Sequence, residues 1–104
     1  MAAGPMKMRA TAQKGITEIR VLMTHPMETG QRKDPDGNLV PMHFIQTITV
    51  QLNGKTVVDC QVSQGVSRNP VFSFRIKGGQ RGDKITVAWQ DNKGESNSLD
   101  AAVA

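Results

Sequence analysis

The two histidines of the chain, His25 and His43, flank a long polar segment, and both have side chains that bind transition metals. Carboxylates lie inside that segment at Glu28, Asp34 and Asp36. A metal site built from these groups requires the two ends of the segment to meet. The spacing matches no known ligand pattern, so we expect instead that each histidine ends a strand and is partly exposed to solvent.

Other patterns that could support catalysis or ligand binding are incomplete. A hydrolytic triad needs a positioned nucleophile, and no serine lies in a nucleophile-elbow turn. The stretch DPDGN (34–38) has oxygen side chains at alternate positions, but His43 stands where a calcium loop has its closing glutamate. We interpret DPDGN as a turn. The stretch KGGQRG (77–82) lacks the Gly-Lys-Ser/Thr ending of a phosphate loop and is predicted to be a hairpin connection.

The chain contains one cysteine, Cys60, so it can form neither an internal disulfide nor a cysteine-based zinc site. Val58 and Val62 share its predicted strand face, and no cation is adjacent in sequence. Apolar surroundings make a thiol unreactive. Cys60 is therefore predicted to be a core residue, and a disulfide to a partner protein is the alternative.

Size and charge limit the possible classes of protein. The 104 residues, 38% of them hydrophobic, fit a single domain (1–104) with a modest core. No apolar run approaches the ~20 residues that span a bilayer, and the start MAAGPMKMRA resembles no signal peptide. Read directly, this favours a cytoplasmic protein or one exported by other means.

The formal net charge is +4, but along the sequence the charges are dispersed. Three phenylalanines and one tryptophan at core-like positions provide no stacking surface, so we do not expect nucleic-acid binding. The positive charge suits an acidic protein partner or an anionic substrate.

Apolar residues alternate along most of the chain, which is typical of half-buried strands. TEIRVLMTH places Ile19, Val21 and Met23 on one face, and the dipeptide at 53–54 is a strong hairpin signal. Four further groups are predicted to share a face: Phe44, Ile48, Val50 and Leu52; Val58, Cys60 and Val62; Phe72, Phe74 and Ile76; Ile85, Val87 and Trp89. With MKMRATA first and SNSLDAAV last, about seven strands predict an antiparallel β-sandwich.

The long polar connections are residues 26–41 and 63–70, and the second is predicted to cross between sheets. Loops on a β scaffold commonly carry function. Met27 follows Pro26 in a polar loop and is predicted to be exposed, as an adaptable contact. Because no catalytic set is complete, the residues indicate a docking surface and no enzyme.

Residues 25–37, HPMETGQRKDPDG, closely resemble the signature loop of the SoxZ family. Further matching stretches are MKMRATAQKGITEIRVLMTHPM, FIQTITVQLNGKTV, GVSRNPVFSFRIK and ITVAWQDNKGES. The resemblance covers nearly the whole chain. It implies an all-β, immunoglobulin-like sandwich that pairs with SoxY, contacts other Sox enzymes transiently, does not insert into membranes and needs no cofactor.

In that family SoxY carries sulfur intermediates on a cysteine in a Gly-rich arm during thiosulfate oxidation. The chain ends SLDAAVA without a Gly-Gly-Cys-Gly-Gly arm, so it resembles the non-catalytic Z subunit. Family members lack their own export signal and are thought to cross the inner membrane with SoxY. The resemblance therefore implies a periplasmic location.

Partner contacts are expected from residues 26–32 and from the corner at 68–71, because interfaces are rich in methionine and arginine. Met27 is the expected apolar anchor, and Arg32 and Arg68 are the charged ones. The predicted partner-binding set is His25, Pro26, Met27, Glu28, Thr29, Gly30, Gln31, Arg32, Arg68, Asn69 and Pro70. Pro26 and Gly30 would hold the loop in shape, helped by hydrogen bonds of His25 and Glu28. The alternatives are a generic immunoglobulin-like binding module or a small metal-binding protein that uses His25 and His43.

Overall fold

The structure, a computed structural model, describes residues 5–62, 66 and 68–104. These residues contain no helix, and so none that could cross a membrane. The strands are β1 (Met6–Gln13), β2 (Ile16–Met23), β3 (Ile45–Leu52), β4 (Lys55–Gln61), β5 (Val71–Lys77), β6 (Lys84–Asp91) and β7 (Ser96–Ala102).

The strands form two sheets, one with the order β1-β2-β5 and the other with the order β4-β3-β6-β7. Every neighbouring pair is antiparallel. The prediction of an all-β, immunoglobulin-like antiparallel sandwich of about seven strands is therefore confirmed in strand number, direction and two-sheet arrangement.

The predicted hairpin between β3 and β4 is confirmed at Asn53 and Gly54, whose φ angles of 51° and 86° are both left-handed. This is the two-residue turn whose twist matches that of the flanking strands. Lys14 and Gly15, with φ angles of 54° and 77°, join β1 to β2 in the same way. These turns fix the register of each hairpin and so decide which side chains face inward.

The connection at 77–82 is not the predicted hairpin, because β5 pairs with β2 while β6 pairs with β3. It crosses between the sheets, and Gly79 passes so close to Thr17 that a Cβ there would overlap the threonine hydroxyl. The predicted crossover at 63–70 also joins strands of different sheets. Its residues 63–65 and 67 lie outside the described residues.

The core lies between the sheets and contains the predicted inward residues of β2 and β6, with Ile48 and Val50 of β3. One prediction for β3 is wrong: Ile45 is fully buried, whereas Phe44 packs only at the edge of the core. A β-bulge between Ile45 and Thr47 inserts one residue and reverses the alternation. Cys60 is half-buried and packs against the core, as predicted.

Candidate functional site

The inward alternation of three strands ends on polar residues, at the last residue of β6 and just outside β2 and β3. His25 lies two positions after Met23 of β2, and Asp91 lies two positions after Trp89 of β6. His43 lies two positions before Ile45 of β3. Since side chains alternate with a period of two, all three polar groups face the space between the sheets. They form a His–Asp–His cluster in which His25, His43 and Asp91 are only 2%, 6% and 2% exposed.

The carboxylate of Asp91 is the centre of this cluster. Its Oδ2 lies 2.9 Å from Nε2 of His25 and 2.7 Å from Nε2 of His43. Its Oδ1 accepts the backbone N–H groups of Lys93 and Glu95 at 3.0 and 2.8 Å. Both carboxylate oxygens therefore have partners, as a buried anion requires.

One backbone contact fixes the proton position on His25. The N–H of Met27 donates to His25 Nδ1 at 3.1 Å, so Nδ1 is an acceptor without a proton. The proton of a neutral imidazole then resides on Nε2, where it is donated to Asp91. The ring also packs edge-to-face on the indole of Trp89, with a centroid separation of 5.0 Å.

The environment sets the charge of each group. Burial lowers the pKa of His25, and the neighbouring His43 lowers it further. The hydrogen bond to Asp91 acts in the opposite direction but does not outweigh them. Burial also opposes ionisation of Asp91, but the hydrogen bonds from His25, Glu95, His43 and Lys93 together prevail and lower the pKa of that carboxyl. Near neutral pH the cluster thus holds an ionised carboxylate against a neutral His25.

Ligand atoms of His25, His43 and Asp91 lie within 4.8 Å of one another, so among the residues that the structure describes these three could hold a metal ion. The histidines do meet, and the expectation that they are partly solvated is wrong. The carboxylate between them is Asp91, whereas Glu28, Asp34 and Asp36 lie outside the cluster. A metal on Nε2 would replace its proton and require one on Nδ1, which already faces the Met27 N–H. The hydrogen-bonding pattern therefore disfavours a metal.

The polar loop after His25 folds back on itself above the cluster. Glu28 and His43 exchange two backbone hydrogen bonds of 2.6 and 3.0 Å, and Lys33 bridges to Leu39 farther out. Gly30 has a φ of 84° and lies against Met42, where a Cβ would be 3.5 Å from the methionine Cβ. The predicted shaping role of Gly30 is consistent with this packing.

The side chains in the loop mainly stabilise the loop itself. Asp34 Oδ1 accepts the N–H groups of Asp36 and Asn38 at 3.0 and 2.9 Å, which confirms the interpretation of DPDGN as a turn. The guanidinium of Arg32 makes a forked contact with Glu28, and this hydrogen bond lowers the pKa of the glutamate. The predicted hydrogen bonds of His25 and Glu28 are both present.

The second predicted segment meets the first at His25. The backbone of His25 donates to Oδ1 of Asn69 at 3.0 Å, and its carbonyl accepts the Asn69 N–H at the same distance. The carbonyl of Pro70 accepts the Met23 N–H at 3.0 Å. Residues 68–70 thus lie beside the start of the loop at one corner of the sandwich, where the charge of Arg68 also acts on Glu28.

Within the predicted partner-binding set, exposure differs sharply. The exposed members are Gln31, Arg32, Arg68 and Asn69; the half-buried ones are Pro26, Glu28, Thr29 and Gly30; the buried ones are His25, Met27 and Pro70. The predicted exposure of Met27 is wrong, because Met27 is only 6% exposed and its sulfur accepts the Ile45 N–H at 3.3 Å.

Three residues of this region had no binding or site role in the sequence prediction. Leu39 and Met42 are 60% and 41% exposed, and they are the apolar surface of the loop. Asp91 had no predicted role, although the alternation of Ile85, Val87 and Trp89 places it inward. A carboxylate at an inward position needs hydrogen-bond partners, and the two histidines of the chain are side chains that could supply them. This signal could have identified Asp91 from the sequence.

The fold and the site define a small β-sandwich protein whose inward polar cluster supports a two-segment corner. Solved structures share this fold: a superoxide reductase in the oxidised state is 12% identical with a TM-score of 0.63, covering all of this chain and 90% of its own. A superoxide reductase (neelaredoxin) from Archaeoglobus fulgidus is 20% identical with a TM-score of 0.62, covering 95% and 86%. No curated protein sequence matches the chain.

The family is established by sequence. The model of the sulphur oxidation protein SoxZ matches residues 6–102, and the chain therefore belongs to the SoxZ family. It is a subunit of the sulfur-oxidation (Sox) system, which oxidises thiosulfate, and the resemblance seen in the signature loop is confirmed.

Proposed function

We propose that the chain is the non-catalytic subunit of the SoxYZ sulfur carrier. In this proposal it pairs with SoxY, which holds the sulfur intermediate on its cysteine arm, and helps present that intermediate to the other Sox enzymes. The complex would act in the periplasm during thiosulfate oxidation. Membership of the SoxZ family supports the assignment to sulfur oxidation.

The observation that carries the proposal is the docking corner, which we define as Arg32, Leu39, Met42, Arg68 and Asn69. Its side chains are exposed, and two of them are large and apolar. Apolar groups flanked by arginine are typical of the energetically important part of protein interfaces. Leu39 and Met42 take the contact role that was expected of Met27.

The base of the corner is held rigidly by the His–Asp–His cluster. His25 bonds Asp91 and Asn69, and His43 bonds Asp91 and the Glu28 backbone. A loop that is ordered before binding loses less conformational entropy when a partner docks. The groups best suited to chemistry are thus engaged in supporting a surface, which favours a non-catalytic role.

Co-expression with SoxY and size-exclusion chromatography tests the pairing, and titration calorimetry of the purified chains tests the corner. The variant Arg32→Ala/Met42→Ala removes one charged and one apolar contact. We expect at least a tenfold weaker affinity for SoxY, equivalent to about 1.4 kcal/mol. The matched control is Lys55→Ala/Val57→Ala on β4, because Val57 is 39% exposed, close to the 41% of Met42.

The two parts of the proposal fail in different ways. Separate elution of the chain and SoxY contradicts the pairing itself. Co-elution with equal affinities for the wild type, the corner variant and the control contradicts the assignment of the corner while leaving the pairing in place.

The alternative function, a small metal-binding protein, is favoured by the convergence of His25, His43 and Asp91. Metal analysis of the chain after incubation with zinc separates the two. Stoichiometric zinc that is lost in Asp91→Asn would support the alternative. We expect no retained zinc, because the Met27 N–H opposes the tautomer that a metal-bound His25 requires.

A further inference from the structure

The outer surface of the β1-β2-β5 sheet carries a charge equal to the net positive charge of the whole chain. We call it the cationic face and define it by its five basic residues: Lys7, Arg9, Arg20, Arg75 and Lys77. All five are exposed, because they occupy the outward positions of strands whose alternate residues enter the core. Glu18 is the one carboxylate among the outward positions of these three strands.

Strand register sets these cations against one another. Arg9 lies directly opposite Arg20 across the β1–β2 pair, an arrangement of like charges that destabilises a sheet. Glu18 lies opposite Arg75 and forms an ion pair with it at 3.4 Å. Within the described part of the chain, Lys7, Arg9, Arg20 and Lys77 have no carboxylate within 4.0 Å.

The face carries a formal charge of +4, from five cations and one carboxylate, and the whole chain also carries +4. The rest of the molecule is therefore electrically balanced. These charges are dispersed along the sequence but lie together in the structure, because the outward positions of three adjacent strands are on the same side of the sheet. A surface of this kind attracts an anionic partner and speeds its association.

Apolar side chains continue the face at one end. Leu22 lies opposite both Lys7 and Val71, and Leu22 and Val71 are 39% and 50% exposed. Val71 directly follows Pro70, which bonds β2 beside the docking corner. The exposed apolar pair Leu22 and Val71 thus lies between the cationic face and that corner.

We infer that the cationic face binds an acidic segment of a partner protein. The face is an open sheet surface, three strands wide and about 25 Å long for strands of eight residues, which suits an extended polypeptide. The chain's aromatic residues lie inside the core or half-buried at its edge, so nucleic-acid bases have no stacking surface here. The exposed pair Leu22 and Val71 favours a segment whose acidic stretch ends in apolar residues. The inference does not depend on the docking corner or on SoxY.

Nuclear magnetic resonance titration of the ¹⁵N-labelled full chain tests the inference. The probe is an eight-residue peptide in which glutamate alternates with serine and two valines end the chain, since alternation places the carboxylates on one side of an extended strand. We expect amide shifts on β1, β2 and β5, and binding that weakens as salt rises. The variant Arg9→Glu/Arg20→Glu should weaken binding at least tenfold.

The matched control is Lys55→Glu/Lys84→Glu, which makes the same change of charge at exposed positions of the other sheet. The affinity of this control for the peptide should be within about twofold of that of the wild type. The margin allows for the long-range electrostatic effect of the changed charges at moderate salt. Shifts confined to other strands, or equal losses in both variants, would overturn the inference. Tighter binding of single-stranded DNA or anionic lipid vesicles of matched charge would also overturn it, in favour of those partners.

Discussion

The His–Asp–His cluster and the cationic face treat charge in opposite ways. Inside, Asp91 takes part in four hydrogen bonds, which stabilise its negative charge. Outside, Arg9 faces Arg20 with no carboxylate between them. A buried polar group needs hydrogen-bond partners because water cannot solvate it. At the surface, water solvates two like charges, so their proximity costs little.

This difference separates what holds the fold from what is available for binding. The cluster couples the ends of β2, β3 and β6, so its matched groups act on stability. The cations of the face contribute little to the stability of the fold, and their side chains are available to interact with a partner. Variants of the cluster should therefore change stability, and variants of the face should change binding.

The strongest test of the comparison is Asp91→Asn. An amide cannot accept both from the histidine rings and from the Lys93 and Glu95 N–H groups, so buried donors are left unsatisfied. We expect the free energy of unfolding to fall by about 3 kcal/mol. Denaturant unfolding measures this loss. The control Asp100→Asn makes the same chemical change at an exposed residue whose side chain accepts a hydrogen bond from the Thr86 hydroxyl, and it should stay within about 0.5 kcal/mol of the wild type.

The second test compares two methionines of the same loop. Met27→Ala removes a buried side chain and should lower the free energy of unfolding by about 2 kcal/mol, through lost burial and a cavity. Met42→Ala removes an exposed one and should change it by no more than about 0.5 kcal/mol. Equal losses for the two variants would contradict the assignment of Met27 to the core and Met42 to the surface.

The third test uses pH. Because the pKa of folded His25 lies below its ordinary value of 6.5, the unfolded chain takes up a proton first as pH falls through that value. Stability should therefore decrease from pH 7.5 to pH 5, and again below pH 3.8 as unfolded Asp91 is protonated. Denaturant unfolding across this range measures the slope. In His25→Gln the slope between pH 7 and pH 5 should be smaller, and an unchanged slope would exclude His25 as its source.

The smallest expected effect has the opposite sign. Arg20→Glu replaces a like-charge pair with a carboxylate facing Arg9, and we expect a gain of about 0.5 kcal/mol in the free energy of unfolding. The control Arg75→Glu places a second carboxylate opposite Glu18 and should destabilise the sheet. A loss of stability in Arg20→Glu would show that the cationic face contributes to the fold.

Most strands could be predicted from the sequence because alternation is a local signal. The runs through Val21 and Val87 gave the correct inward faces, and the hairpin at Asn53 followed from a two-residue pattern. The bulge that turns Ile45 inward leaves no such signal, because it depends on pairing with β6. The passage of the chain from one sheet to the other between β5 and β6 could not be predicted for the same reason.

The candidate site shows the same limit. The meeting of the histidines was foreseen as a condition for a metal, but their partner Asp91 is 66 and 48 residues away in sequence. The inward parity of Asp91 could have revealed it. The opposition of Arg9 and Arg20 requires the register of β1 and β2, so charges that are far apart in the sequence gave no sign of one basic surface.

The two loop methionines also differ in their access to oxidants, which matters in a protein of sulfur oxidation. The Met27 thioether is enclosed and accepts the Ile45 N–H, so peroxide or reactive sulfur species reach it slowly. Met42 is open to solvent at the docking corner. Its conversion to a sulfoxide would make an apolar contact polar while leaving the core intact. Oxidative damage would thus remove the subunit's capacity to dock before it unfolds the subunit.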